Sequence, residues 1–181
     1  MASLGAKRLQ RIGARTTVVG IGNRCRGDDA AGPLLIDLLH ERGAARCIDA
    51  GDAPERHLGE AVAETPTTIL LVDAVDFGGE PGELAVFEPE ELGGRAATPH
   101  TVPVATLAGY LRATSGAEVL LLGVQPGQVR FGAPMSEAVR DGVEAAARIL
   151  TAQLGLQQAS IGSSGVDAPT RDGRGRGQTA P

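Results

Sequence analysis

Apolar residues follow two rhythms along this chain. Residues 16–22 (Thr-Thr-Val-Val-Gly-Ile-Gly) form a β-branched apolar run that stops at glycine, and the stretch 32–39 then places Leu34, Leu35, Leu38 and Leu39 at helical spacing. The first is a strand and the second a helix, with a polar loop between them. The alternation continues with a short strand at 46–49, a helix at 55–64 and a continuous apolar strand at 68–73 (Thr-Ile-Leu-Leu-Val-Asp). Residues 83–87 alternate in the manner of an edge strand, 104–113 are helical, and 118–123 (Glu-Val-Leu-Leu-Leu-Gly) read as a buried strand. Ser136 then caps a final helix through Leu154, with Glu137 in its first turn. Strands that are apolar along their whole length need cover on both faces. The pattern therefore predicts an α/β three-layer sandwich, a mostly parallel twisted sheet of about five strands with helices on both faces.

The ends of the chain break this pattern. Residues 1–14 carry Lys7, Arg8 and Arg11 with little apolar periodicity and are expected as a loose leader; residues 15–156 make the α/β domain. From 157 onward the chain is rich in Gly, Ser, Gln and Arg. Such a stretch buries too little surface to offset its ordering entropy, so 157–181 are expected as a disordered tail. The net charge of −5 and an aromatic content of 2% offer neither a basic face nor a base-stacking platform, so no nucleic-acid partner is expected. No apolar run approaches the roughly 18 residues of a membrane span, so no membrane insertion is expected. The two cysteines, Cys25 and Cys47, follow no apolar leader and form no disulfide framework, which places the chain in the cytoplasm as an expectation.

In sheets of this kind ligands sit beyond the carboxyl ends of the strands, which singles out four loops. The first holds Gly20, Gly22, Cys25, Gly27, Asp28 and Asp29. A dinucleotide site would need glycine where Cys25 stands, and two carboxylates occupy the helix start where a phosphate would lie, so nucleotide binding is rejected. Asp28 is expected to cap the helix; for Asp29 the pattern leaves open a helix-dipole role and a site role. The second loop follows the strand ending at Asp73. Asp76, ahead of Gly78 and Gly79, fits an Asx turn, whereas Asp73 ends a strand and faces the crevice, where a carboxylate needs positive company. The third carries His100, just before a helix with Pro103 in its first turn. His40 and His57 read as surface residues. The fourth, at 123–127, presents Gln125, for which turn formation is the simpler role. Asp29, Asp73 and His100 thus stand at three loops that can meet at one sheet edge, an oxygen and nitrogen set suited to a divalent transition metal with open positions. Both cysteines are expected as small buried thiols, and neither a G-x-S-x-G elbow nor an H-E-x-x-H helix is present.

Together these segments resemble the [NiFe]-hydrogenase maturation endopeptidases over roughly 18–154. The resemblance rests on Val-Gly-Ile-Gly-Asn at 19–23 with Gly-Asp-Asp-Ala-Ala-Gly-Pro-Leu-Leu at 27–35, and on Ile-Asp-Ala-Gly at 48–51 with Ala-Pro-Glu at 53–55. It rests also on Val-Asp-Ala-Val-Asp-Phe at 72–77 with Pro-Gly-Glu at 81–83, Thr-Pro-His at 98–100, and Gly-Val-Gln-Pro at 123–126. The Gly-Asp-Asp and Gly-Val-Gln-Pro forms are most similar to the hydrogenase-3, formate-hydrogenlyase-type branch. Ala30 and Ala31 depart from the Gly-Ala of that branch, as does the long tail. The resemblance implies an endopeptidase that removes a C-terminal extension from a hydrogenase large-subunit precursor after nickel insertion, with the family's metal contacts falling on Asp29, Asp73 and His100. Nickel is then supplied largely by the precursor. A peptidase without a serine or cysteine nucleophile must activate water through a base, a metal or both, and Asp76 is a second candidate for the base. The alternatives are a nickel-dependent maturation chaperone that binds without cutting, and a small-molecule hydrolase or phosphorylase. The acidic crevice argues against phosphate-bearing substrates.

Overall fold

The computed structural model describes residues 7–92 and 102–156. Five strands form one sheet: β1 (Thr16–Ile21), β2 (Cys47–Gly51), β3 (Thr68–Ala74), β4 (Leu84–Phe87) and β5 (Glu118–Val124), in the order β2-β1-β3-β5-β4. β1, β2, β3 and β5 run parallel and β4 is antiparallel to β5. The helices are α1 (Ala31–Glu41), α2 (Leu58–Val62), α3 (Val104–Ser115) and α4 (Glu137–Gln153). This is the sandwich the hydrophobic pattern predicts.

Period-two alternation sorts the strand side chains between two cores. Val18, Leu70, Val72, Leu120 and Leu122 join Leu35 and Leu39 of α1 and Val143 and Leu150 of α4 in one. Val19, Ile21, Ile69, Leu71, Val119 and Leu121 join Ala61 of α2 and Ala108 and Leu111 of α3 in the other. Both faces are covered, which is why β1 and β3 are buried at every position. The chain leaves β1 for α1 on one face, and leaves β3 for β4 and then α3 on the other. The strand order therefore reverses between β1 and β3, and a crevice opens at their carboxyl ends.

Three local features differ from the sequence expectation. The helix expected at 55–64 is a 3-10 turn at Pro54–Arg56 followed by the single short helix α2. Pro66 bars the α conformation at the residue before it, and Thr65 turns out at φ 47. The 3-10 turns Gly27–Ala30 and Pro89–Leu92 carry no hydrophobic period and are invisible to that pattern. Residues 7–14, expected in a loose leader, are docked. Ile12 is buried in the α1–α4 core, Arg8 donates to the Val86 carbonyl at 2.8 Å and to Glu91 at 2.8 Å, and Arg11 pairs with Glu88 and Glu118. Cations that read as solvated in sequence find carboxylates supplied by β5 and by the turn after β4. Residues 157–181, expected as a tail, lie outside the described residues. No helix among the described residues is long and apolar enough to cross a membrane.

Candidate active site

Two glycines bring the segment after β1 against the sheet. A Cβ at Gly32 would lie 2.3 Å from the Ile21 carbonyl oxygen and 2.8 Å from that of Val72, and one at Gly22 would lie 1.9 Å from the Asp29 carbonyl oxygen. Gly22 also adopts φ +136, a conformation L side chains rarely take. The Gly27–Ala30 turn can therefore rest on the ends of β1 and β3, and it carries Asp29 into the crevice between them.

Asp29 is 1% exposed, and its Oδ2 accepts the Asn23 amide at 2.9 Å. Asp73 is fully buried one residue before the end of β3, in register with Gly123 of β5. It continues the parity of Ile69 and Leu71, so its side chain belongs to the face covered by α2 and α3. One buried carboxylate thus lies near the end of β3 and the other in the turn that follows β1, at the reversal of strand order. Burying such groups is costly unless cationic or hydrogen-bonding partners meet them. His100 lies outside the described residues, as do Thr98 and Pro99. Among the described residues no group of three His, Cys, Asp or Glu is arranged to hold a metal ion.

Asp76 is exposed and makes the Asx turn read from its sequence, with Oδ1 accepting the Gly78 amide at 3.2 Å. The same oxygen accepts Gln125 Nε2 at 3.1 Å. Gln125 does far more than form a turn. It is buried, and its Oε1 accepts the amides of Phe77, Gly78 and Gly79 at 2.9, 3.1 and 3.1 Å, holding the loop after β3 in place. Nothing in the short sequence around Gln125 announces contacts almost fifty residues away.

Asp28 also departs from expectation. No side chain caps the Gly27–Ala30 turn or α1. The fully buried Asp28 carboxylate instead accepts the amides of Gly127 at 2.8 Å, Gln128 at 2.9 Å and Ser136 at 2.6 Å, so it fastens the loop between β5 and α4 to the segment carrying Asp29. Ser136 caps α4 as its sequence predicts, accepting the Val139 amide.

Around the rim, Arg24 forks onto Asp37 at 2.6 Å and Asp49 at 2.8 Å, tying the loop after β1 to α1 and β2. The guanidinium holds the Asp37 carboxyl below its usual range. Of the two thiols, Cys47 is buried as expected, and burial pushes its thiol up to about 12. Cys25 is exposed, contrary to expectation, because it lies in the turn between β1 and Asp29. His40 is exposed, with Nε2 3.1 Å from the Cys47 carbonyl, and His57 is half-buried beside Glu60.

The fold and the sequence both match known endopeptidases. The family model described as HycI, hydrogenase maturation protease, matches residues 34–153. The Hydrogenase 3 maturation protease of Escherichia coli K12 is 38% identical over 127 residues, spanning 68% of this chain and 81% of that protein. In structure, the [NiFe] hydrogenase maturation protease HycI of Thermococcus kodakarensis superposes with a TM-score of 0.71 at 32% identity, covering 78% of this chain and 93% of that one. The solution structure of the endopeptidase HycI of Escherichia coli gives 0.69 at 33% identity over 81% and 97% of the two chains. This chain belongs to the hydrogenase maturation protease family, and it is a hydrolase of peptide bonds.

Proposed function

We propose that this endopeptidase removes the C-terminal extension of a [NiFe]-hydrogenase large-subunit precursor after nickel insertion, and that nickel held by the precursor is its recognition element. The observation that carries this reading is the burial of Asp73 near the end of β3 and of Asp29 in the turn after β1. With the His100 imidazole they make a donor set that suits a divalent transition metal and leaves positions for the precursor's own ligands. A precursor without nickel offers this set no cation and docks poorly. That difference is the checkpoint.

Cleavage adds water across the scissile amide, with hydroxyl going to the carbonyl carbon and a proton to the leaving nitrogen. Nickel in the docked precursor supplies polarisation of the carbonyl or of the attacking water. The chain's own carboxylates orient the cation and take the proton. Asp76, steadied by Gln125 Nε2, is the second candidate for that base or for orienting a ligand. Two free cysteines agree with a cytoplasmic site of action. Replacing His100 with Ala tests the reading: processing of nickel-loaded precursor is abolished while the thermal midpoint stays that of the wild type. Wild-type cleavage by that variant contradicts the triad.

A further inference from the structure

The loop between β5 and α4 carries a side chain that the cleavage chemistry leaves unused. Phe131 is 71% exposed, more than any other large apolar residue among those described. A single apolar side chain at the surface ordinarily means little. This one stands on a loop fastened at its base and tip. Asp28 takes the amides of Gly127, Gln128 and Ser136, while its own amide donates to the Gln128 carbonyl at 2.9 Å. Near the tip, the amide of Gly132 donates to the Cys25 carbonyl at 2.7 Å. Across the loop, Gln128 Nε2 donates to the Pro134 carbonyl at 2.7 Å. Every tie to the 25–28 segment runs to residues directly before Asp29, so the loop that carries the exposed Phe131 is fixed to the segment that carries Asp29.

The charge of the loop is equally one-sided. Residues 125–135 include no carboxylate in a chain of net charge −5. Arg130 is exposed, Arg26 is half-buried in the adjoining turn, and neither makes an ion pair to a described residue. A backbone already fixed by these bonds loses little further freedom when a partner arrives, which favours binding through the aromatic and cationic side chains it presents.

We propose that residues 126–135 are a preformed docking arm for the substrate polypeptide, with Phe131 as its apolar contact, Arg130 and Arg26 as its charge partners, and Asp28 as the strut that fixes it beside Asp29. The segment it fits carries an apolar side chain next to an acidic one, close to the bond that is cut. This rests on the proposed processing of a hydrogenase precursor.

Steady-state processing of nickel-loaded precursor by F131A, F131L, R130E and R130K tests it. The arm predicts a KM about tenfold higher for F131A with kcat lowered less than twofold, a partial return in F131L, a several-fold higher KM for R130E, and near-wild-type behaviour for R130K. A KM for F131A within twofold of wild type overturns the arm, as does a loss confined to kcat. Wild-type KM in R130E overturns its charge complementarity. Should the wild-type enzyme leave the precursor uncut, it is the processing reading that fails. Equilibrium binding of the same precursor then decides the arm, tenfold weaker binding by F131A sustaining it and equal binding overturning it.

Discussion

The Asp28 carboxylate accepts the Ser136 amide at 2.6 Å across 108 residues of chain. Ser136 in turn caps α4, so one buried carboxylate joins the loop of the candidate site to the start of the last helix. Asp28→Asn keeps the shape but turns an NH2 group toward backbone N–H donors. A buried bond to a charged acceptor contributes about 1.5–3 kcal/mol, and the variant is expected to lose about 3 kcal/mol in urea unfolding. A loss under about 0.5 kcal/mol would leave the strut without energetic content.

How far the sequence reached is clearest at this same place. Strands such as 68–73 announce themselves because both faces are buried, and Ser136 because capping is local. Asp28 and Gln125 are different. Their partners are backbone amides far along the chain, and an amide carries no sequence signature, so Asp28 reads as a cap and Gln125 as a turn residue. The docked Arg8 and Ile12 were hidden for a related reason, since their partners on β4, β5 and the following turn are fixed only by the fold. Asp73 stands out in the sequence because a carboxylate near the end of a strand contrasts with an apolar run, and the structure buries it there.

Arg8→Ala is expected to cost about 2 kcal/mol at pH 7, by breaking a buried bond to the Val86 carbonyl and a half-buried one to Glu91. The Arg8 guanidinium holds the Glu91 carboxyl below its ordinary 4.5. A carboxyl lowered by folding stabilises above its unfolded value and stops doing so as pH falls through the folded one. Glu91 is exposed, so screening limits that part to about 0.5 kcal/mol. The gap between variant and wild type should therefore narrow by about that amount from pH 7 to below 4.5, measured by urea unfolding at each pH. A gap that widens on acidification contradicts the assignment.

Gly32→Ala places a Cβ against the backbone of Ile21 and Val72, where no flexible side chain can yield. The variant is expected to lose about 3 kcal/mol and to displace the Gly27–Ala30 turn from β3. Loss of processing should accompany the fall in thermal midpoint. An unchanged midpoint would mean that α1 does not press on the sheet as described.

The thiols should separate in a labelling experiment. At pH 8 the exposed Cys25 reacts with a disulfide reagent, and Cys47, its thiol pushed up to about 12 by burial, reacts only in denaturant. Cys25→Ser removes the fast phase and leaves processing within twofold of wild type, because the proposed chemistry uses no thiol. Inactivation by that change would point instead to a cysteine nucleophile.

The central claim is that nickel in the substrate licenses the cut. The most direct test incubates the purified enzyme with a hydrogenase large-subunit precursor, nickel-loaded or nickel-free, and follows intact mass. Loss of a C-terminal peptide from the nickel-loaded form alone is the predicted result. Equal cleavage of both forms would contradict nickel as the recognition element, and a nickel-loaded precursor that binds but stays whole would contradict the proposed substrate.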